Sequence, residues 1–242
     1  MKLRLAYNIC IALTVMASNH AFAEDAAFSG DVGLGVVQKQ SIIRGDHTRT
    51  SAMPYLAFDY GRVFARIDNF GVKTLAVGYG HIELLGRYRT DGYQVSGFER
   101  RDTPVPLGVG TLQITPIGAF EIDVLRDFGT SAGAVAQARY IAKFSAGRVS
   151  VYPEFGVEML SARYANYYYG TRQQDAATLG QSYTAGSATN PFLGVMVSTQ
   201  LAERWTLKTY LRYTLLDDTI AHSPLVSREG KTTMFVAVAR GF

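Results

Sequence analysis

The stretch Gly230-Lys-Thr-Thr-Met-Phe-Val-Ala-Val-Ala-Arg-Gly-Phe242 decides the fold. Its side chains alternate with a period of two, so an extended chain carries Met234, Val236 and Val238 on one face. Thr233, Phe235 and Ala237 lie on the opposite face. The run ends on an aromatic residue while the strand pattern is still in progress. That arrangement is typical of the last strand of a bacterial outer-membrane barrel, and we expect such a barrel here.

The beginning of the chain predicts a secretory signal peptide over residues 1–23. Lys2 and Arg4 supply positive charge, a short apolar run follows, and Ala21-Phe22-Ala23 has the small-x-small pattern of a cleavage site. The apolar run is too short for a helix that spans a membrane. Cleavage after Ala23 leaves a mature chain of residues 24–242, which we expect to form the barrel.

Cysteine content and charge exclude several classes of function. Cys10 is the only cysteine, and it lies inside the predicted signal without the preceding small residues that lipoprotein processing requires. The mature chain therefore lacks disulfides, thiolate metal sites and cysteine nucleophiles. The formal net charge of +4 is too small to favour binding to nucleic acid. Metal-ligand spacing and a phosphate-binding glycine loop are also missing from the sequence, so we expect neither a metal nor a cofactor.

Strand alternation extends along the mature chain. Apolar residues make up 48% of the chain, yet no run after the signal approaches the roughly 18 residues that a helical span needs. We predict an all-β antiparallel barrel of about twelve strands, an even number as expected for this class. The predicted strands are 27–37, 52–60, 62–67, 71–79, 81–90, 107–116, 118–126, 132–144, 148–161, 190–201, 204–216 and 230–242. Merging a pair within 62–79 or 107–126 gives about ten strands instead.

The predicted connections alternate in length. Tight turns fall near Gly61, Gly80, Ile117, Gly147 and Ala202-Glu203, whereas long polar connections fall at 38–51, 91–106, 162–189 and 217–229. Two further connections, 68–70 and 127–131, are short. In the alternation along the chain, however, they fall at the end of the barrel where the long connections lie. If both termini are periplasmic, every tight turn is periplasmic and every long loop is extracellular, which is the asymmetry of outer-membrane barrels.

Two soluble folds are the alternatives, a lipocalin-like barrel and a periplasmic sandwich. Either fold would bury the apolar face of each strand in a core. In this sequence nearly every strand has one apolar face and one charged face. A soluble barrel of this size needs more apolar residues inside, so the pattern favours a barrel whose apolar face meets outer-membrane lipid.

If the apolar faces meet lipid, the charged faces point into the lumen. Three neighbouring strands then carry, in order, Glu121 and Asp123, Arg139 and Lys143, and Glu154 and Glu158. We expect Arg139 to lie across from Glu121 and across from or diagonal to Glu154. Further inward charges are Arg62, Arg66, Glu83, Arg87, Lys208 and Arg212. These charges form either a ladder that rigidifies the wall or a narrow pore that selects solutes, and pairing of most charges argues against the pore.

The longest loop is unusually rich in tyrosine. Tyr164, Tyr167, Tyr168 and Tyr169 lie together near its start. These candidate loop contacts form a partner-binding patch, a packed lid or part of the outer aromatic girdle. In the first long loop, Arg44-Gly45-Asp46 is a tripeptide that can engage host integrins when it is displayed at a loop tip.

One cluster could in principle support nucleophilic catalysis. Asp217, Asp218, His222 and Ser223 lie close together in the last long loop. Adjacent side chains usually diverge, however, and Ser223 precedes a proline in a turn context. We therefore interpret the cluster as a polar surface turn, and we predict no catalytic residue.

Three motifs together resemble the MipA/OmpV family of MltA-interacting outer-membrane proteins. Tyr167-Tyr168-Tyr169-Gly170 is similar to its Y-(Y/F)-G-V region, and Ser223-Pro224-Leu225-Val226 is similar to its S-P-(I/L)-V segment. Pro54-Tyr55-Leu56, followed by Asp59-Tyr60-Gly61, resembles its early strand. The chain departs from the family at Thr171, where valine is usual, and at Arg240, where an aromatic or aliphatic residue is usual.

The resemblance implies a barrel without catalytic residues. Family members are described as scaffolds that bring a lytic transglycosylase together with a murein synthase, and others are linked to adhesion, osmotic response or antibiotic response. The resemblance therefore implies a binding protein with a periplasmic murein hydrolase or synthase as its partner. A pore for small solutes and a surface adhesin remain the alternatives.

Overall fold

The period-two alternation becomes a closed antiparallel sheet in the computed structural model, which describes residues 28–242. The predicted signal peptide and its cleavage site lie outside these residues. The described strands are β1 (Phe28–Lys39), β2 (Arg49–Tyr60), β3 (Val63–Arg66), β4 (Asn69–Val77), β5 (Gly80–Arg87), β6 (Leu107–Thr115), β7 (Gly118–Arg126), β8 (Ala134–Ile141), β9 (Phe144–Ala146), β10 (Val149–Leu160), β11 (Ala188–Gln200), β12 (Trp205–Leu215) and β13 (Gly230–Gly241).

Consecutive strands pair with each other, except β8 with β9, and β13 also pairs with β1, which closes the barrel. The closing register runs from Asp31 opposite Gly241 to Lys39 opposite Thr233. Both β8 and β9 pair with β10, so they are two parts of one interrupted strand. The described residues therefore form a barrel of twelve strands, which confirms the predicted fold class and strand number; the pairs that could have merged stay separate.

The interruption between β8 and β9 has a local cause. Pro153 on β10 lies where Ala142 should pair, between the register pairs of the two parts. The amide of Ala142 donates to the Pro153 carbonyl at 3.0 Å. Proline has no amide hydrogen to return the bond, so the ladder is broken at this point.

The two ends of the barrel differ as predicted. Short turns at 61–62, 78–79, 116–117, 147–148 and 201–204 form one end, which we call the short-turn end. Connections at 40–48, 67–68, 88–106, 127–133, 161–187 and 216–229 form the other, which we call the long-loop end. The predicted alternation of short and long connections is therefore confirmed.

The outer face of the barrel is apolar and exposed. Leu34 is 74% exposed and Leu193 is 65% exposed, although both lie within strands. Exposed aromatic side chains occur near both ends: Tyr60, Tyr79, Phe144, Trp205 and Phe242 near the short-turn end, and Tyr88, Phe128 and Tyr213 near the long-loop end. An apolar band between two aromatic girdles is the surface that a lipid bilayer covers.

The long connections fold together into a structure that we call the cap, made of residues 40–48, 88–106, 161–187 and 216–229. It contains helices α1 (Ala162–Tyr169), α2 (Gln173–Leu179) and α3 (Asp218–Ala221). None of these helices, which are the ones found within residues 28–242, has the length and apolarity for crossing a membrane.

A buried core holds the cap in the mouth of the barrel. Its members come from all four long connections and from the adjacent strand ends, and include Ile42, Ile43, Tyr93, Val135, Leu160, Tyr164, Tyr168, Leu216, Ile220 and Val226. Burial of this much apolar surface is the main force that orders the long loops. The cap therefore covers the long-loop end of the lumen.

Candidate functional site

The inward-facing charges meet in a connected network on the barrel wall. Arg139 lies directly opposite Glu121 in the register of β7 and β8, and its guanidinium donates to that carboxylate. Arg139 Nη1 also lies 3.1 Å from Glu154 Oε2. Glu154 is diagonal to Arg139, whose direct partner on β10 is Gly156. One guanidinium therefore connects three neighbouring strands, in the arrangement that we expected from the sequence.

Arg87 on β5 extends the network. Its Nη2 lies 3.0 Å from Glu121 Oε1 and 2.8 Å from Asp123 Oδ2. Its Nε donates to Asn69 Oδ1 at 2.6 Å. We call Arg87, Glu121, Asp123, Arg139 and Glu154 the ladder.

Lys143, which we expected on the inward face, is not a member of the ladder. It lies in the interruption between β8 and β9, where the register pairs on both sides of the break are in step and place it opposite Tyr152. The side chain is exposed, and its ammonium lies 6.0 Å from the centre of the Tyr152 ring. The inward placement of Lys143 stays a prediction.

The ladder fills the lumen at its own height. Asp123 is 1% exposed and Arg87 is 4% exposed. A water-filled lumen at this level would leave both side chains accessible, so side chains occupy it instead. Closer to the short-turn end, two further pairs are more accessible, Lys73 with Asp59 at 2.8 Å and Lys208 with Asp31 at 2.7 Å. The pairing of these charges favours a wall ladder over a selective pore.

Three of the four tyrosines that were predicted as candidate loop contacts are buried. Tyr164, Tyr168 and Tyr169 lie in the core of the cap, and Tyr167 is half-buried beneath the Arg172 guanidinium, 4.4 Å from its ring centre. Of the three alternatives that the sequence left open, this burial favours the packed lid. The cause is helix α1, whose spacing places Tyr164 and Tyr168 on one inward face.

A buried ion pair joins two segments of the cap. Arg101 Nη2 lies 2.6 Å from Asp175 Oδ2, and neither side chain is exposed. The guanidinium also donates to the carbonyls of Tyr167 and Glu99, each at 2.7 Å. Asp175 accepts from the amides of Glu99 at 2.7 Å and Arg172 at 2.9 Å. The pair satisfies its hydrogen-bonding capacity and ties the 88–106 segment to helix α2.

These contacts set the charge state of Asp175. Burial alone would raise the pKa of its carboxyl group, but the amides of Arg172 and Glu99 and the Arg101 guanidinium hold the pKa below the ordinary value of 3.8. A carboxylate with a lowered folded-state pKa stabilises the folded cap above pH 3.8, and that contribution is lost as the pH falls through the lower value. The charge is therefore fully present at neutral pH.

A second charged cluster connects the cap to the barrel. Arg89 lies 2.7 Å from Asp91 Oδ2 and 2.6 Å from Glu158 Oε2. The Tyr164 hydroxyl donates to Asp91 at 2.7 Å. Burial would raise the pKa of the Asp91 carboxyl, but Arg89 and Lys231 hold it below its ordinary value. Glu158, which we expected beside the other lumen carboxylates, is therefore paired with a residue that the sequence analysis did not single out.

The last long loop does not form a nucleophilic site. Ser223 is buried and its hydroxyl donates to the Tyr169 carbonyl, whereas His222 is exposed. Asp217 caps helix α3 by accepting from the amide of Thr219 at 2.9 Å. Across residues 28–242, the structure contains no group of three or more histidines and carboxylates that could hold a metal ion.

The tripeptide Arg44-Gly45-Asp46 is tied to the cap. Arg44 Nε donates to the Pro224 carbonyl at 3.0 Å. The Asp46 carboxylate accepts from Ser41 Oγ at 2.7 Å and from Arg49 at 3.1 Å. Both charged side chains therefore already have partners within the protein.

The opposite end of the barrel offers an exposed surface of mixed character. We call the tips of the five short turns the short-turn face. Ile117 is 74% exposed, and Leu201 and Tyr79 are also exposed. Arg148 and Arg204 are exposed beside them. Glu203 is the one acidic residue within these turns, so the short-turn face combines apolar side chains with a net positive charge.

Comparison with known proteins places the chain among outer-membrane proteins. The sequence profile of the family described as "MltA-interacting protein MipA" matches residues 32–242. A relative named as an outer membrane protein, YiaT of Escherichia coli (strain K12), is 23% identical over 87% of this chain and 90% of its own length.

Two further relatives have informative names. The outer membrane protein OmpV of Vibrio cholerae serotype O1 is 24% identical over 98% of this chain and 95% of its own length. The MltA-interacting protein of Escherichia coli (strain K12) is 25% identical over 56% of each chain.

Proposed function

Because the chain belongs to the MltA-interacting protein MipA family, we propose that it is a non-enzymatic outer-membrane binding protein that holds a murein-remodelling enzyme at its short-turn face. The family resemblance that three motifs predicted is confirmed over residues 32–242. In this proposal the mature chain begins at Glu24 after removal of the signal peptide. The short turns then face the periplasm, where murein and its enzymes lie.

The observation that carries this proposal is the short-turn face. Exposed apolar side chains next to arginine form the kind of patch in which binding energy concentrates. Ile117 and Leu201 belong to turns on either side of the turn that holds Arg148. The Arg148 carbonyl accepts from the amide of Gln200 at 2.8 Å, which joins two of these turns. The face is therefore continuous and is complementary to an acidic partner surface.

The choice of partner is supported by a relative's name. One relative is called MltA-interacting protein, and we extend that interaction to this chain as part of the proposal. The partner is then a lytic transglycosylase of the MltA type, with a murein synthase joining it. Because the turns are short, the interface belongs to the small and transient class, and charge steering contributes strongly to association.

Reversing the positive charge of the short-turn face tests the proposal. We expect Arg148→Glu with Arg204→Glu to weaken binding of a purified MltA-type transglycosylase by about tenfold, because repulsion replaces steering at the rim. Binding is measured by biolayer interferometry with the mature chain in nanodiscs at low salt.

The matched control reverses two exposed arginines at the long-loop end, Arg163→Glu with Arg228→Glu. This control should bind like the native protein. Equal binding by all three proteins, or no binding by the native protein, would contradict the proposal.

A further inference from the structure

A groove crosses the outer face of the barrel where β12, β13 and β1 meet near the short-turn end. Its volume is about 440 Å³. The side chains that line it are Val32, Leu34, Trp205, Val238, Arg240 and Phe242. It lies outside the lumen, on the surface that faces lipid, and none of the contacts of the ladder or the cap reaches it.

One charge interrupts this apolar lining. Arg240 lies opposite Val32 in the register of β1 and β13 and opposite Trp205 in the register of β12 and β13, so it is on the outward face. Its guanidinium lies 5.5 Å from the centre of the Phe242 ring. Among residues 28–242, no carboxylate lies within ion-pair distance of it. An unpaired arginine on the lipid face is costly in hydrocarbon and is stabilised by an anionic group at the interface.

We propose that this groove binds one membrane phospholipid with a net anionic headgroup. The acyl chain packs against Val32, Leu34 and Val238. The phosphate accepts from the Arg240 guanidinium, whose planar fork matches phosphate oxygens. The Trp205 indole lies at headgroup level, where amphipathic rings are favoured.

The charge is what makes the groove selective, since apolar packing alone accepts any acyl chain. This proposal does not depend on the identity of a murein-enzyme partner.

The chain supplies its own matched control. Arg126 is also an exposed arginine on the outward face at the end of a strand, and its guanidinium lies 5.7 Å from the Phe128 ring. It lies at the long-loop end and does not line this groove. Replacing Arg126 therefore removes a similar charge and a similar ring contact without changing the proposed site.

The experiment uses the only tryptophan of the chain, Trp205, as the reporter. The mature protein is reconstituted into phosphatidylcholine vesicles that contain increasing fractions of brominated phosphatidylglycerol or brominated phosphatidylcholine. Bromine quenches indole fluorescence on contact, so the quenching curves give the relative occupancy of the two lipids. We expect an approximately fivefold preference for the anionic lipid, the factor that one basic side chain near an anionic surface provides.

The variants separate the proposed site from general lipid contact. Arg240→Gln should abolish the preference, Arg240→Lys should retain part of it, and Arg126→Gln should leave it unchanged. Equal quenching of the native protein by the two lipids shows annular contact only and overturns the proposal. A preference that survives Arg240→Gln overturns it as well.

Discussion

Replacing Arg101 by methionine is expected to destabilise the folded cap while the strands of the barrel stay paired. The substitution leaves Asp175 as a buried carboxylate without a cation, 2.6 Å from where the guanidinium was. Removing one partner of a buried ion pair costs about 3–5 kcal/mol, because the remaining charge is uncompensated. We expect faster amide hydrogen exchange in residues 88–106 and in helix α2, measured by mass spectrometry, with unchanged protection of the strands.

The neighbouring Arg100 provides the control for that result. It forms a 2.7 Å ion pair with Asp102, but both side chains are well exposed. Exposed ion pairs contribute less than about 1 kcal/mol to stability. Amide hydrogen exchange in the Arg100→Met variant should therefore match that of the native protein. Unchanged exchange in Arg101→Met, or equal changes in both variants, would show that the buried pair does not hold the cap.

Replacing Arg87 by methionine is expected to destabilise the barrel itself. Arg87 donates to Glu121, Asp123 and Asn69. Asp123 has no other cation within ion-pair distance among the described residues, and the loss should again cost about 3–5 kcal/mol. The measurement is the temperature at which the compact folded band of the protein in detergent converts to the unfolded band on a gel.

Lys143→Met is the control for the ladder, since it removes an exposed basic side chain that is not a member of the ladder. The conversion temperature of this variant should lie within a few degrees of that of the native protein, because exposed charges contribute little to stability. If Lys143→Met lowered the conversion temperature as far as Arg87→Met, the ladder would have no special part in stability.

The strands could be predicted because, in a barrel strand, apolar residues face lipid and charged residues face the lumen, so the residue types alternate along the sequence. The predicted strand 118–126 has the bounds of β7, and the predicted lumen position of Arg139 follows from the same alternation. The break between β8 and β9 was not predicted, and the proline on the neighbouring strand, Pro153, was the available signal.

The cap could not be predicted in the same way, since its segments have no common period. Arg101 and Asp175 are 74 residues apart, and nothing local marks them as partners. The sequence does contain a weak indication of helix α1. Ser161 accepts from the Tyr164 amide as an N-cap, and the four-residue spacing of Tyr164 and Tyr168 is helical.

The ladder and the cap together support the proposal that the barrel is a binding protein. The ladder fills the middle of the lumen with paired charges, and the cap covers the long-loop end. The outer apolar band and the short-turn face remain accessible. In the proposals made above, lipid covers the first surface and a periplasmic protein binds the second.

The most direct test of this closed lumen is single-channel recording of the mature protein in planar lipid bilayers. We predict a silent membrane at both polarities after insertion, with insertion verified by recovery of the folded band from the same preparation. Stable, ohmic current steps from the native protein would contradict the filled lumen, and with it the proposal that this barrel is a binding protein instead of a pore.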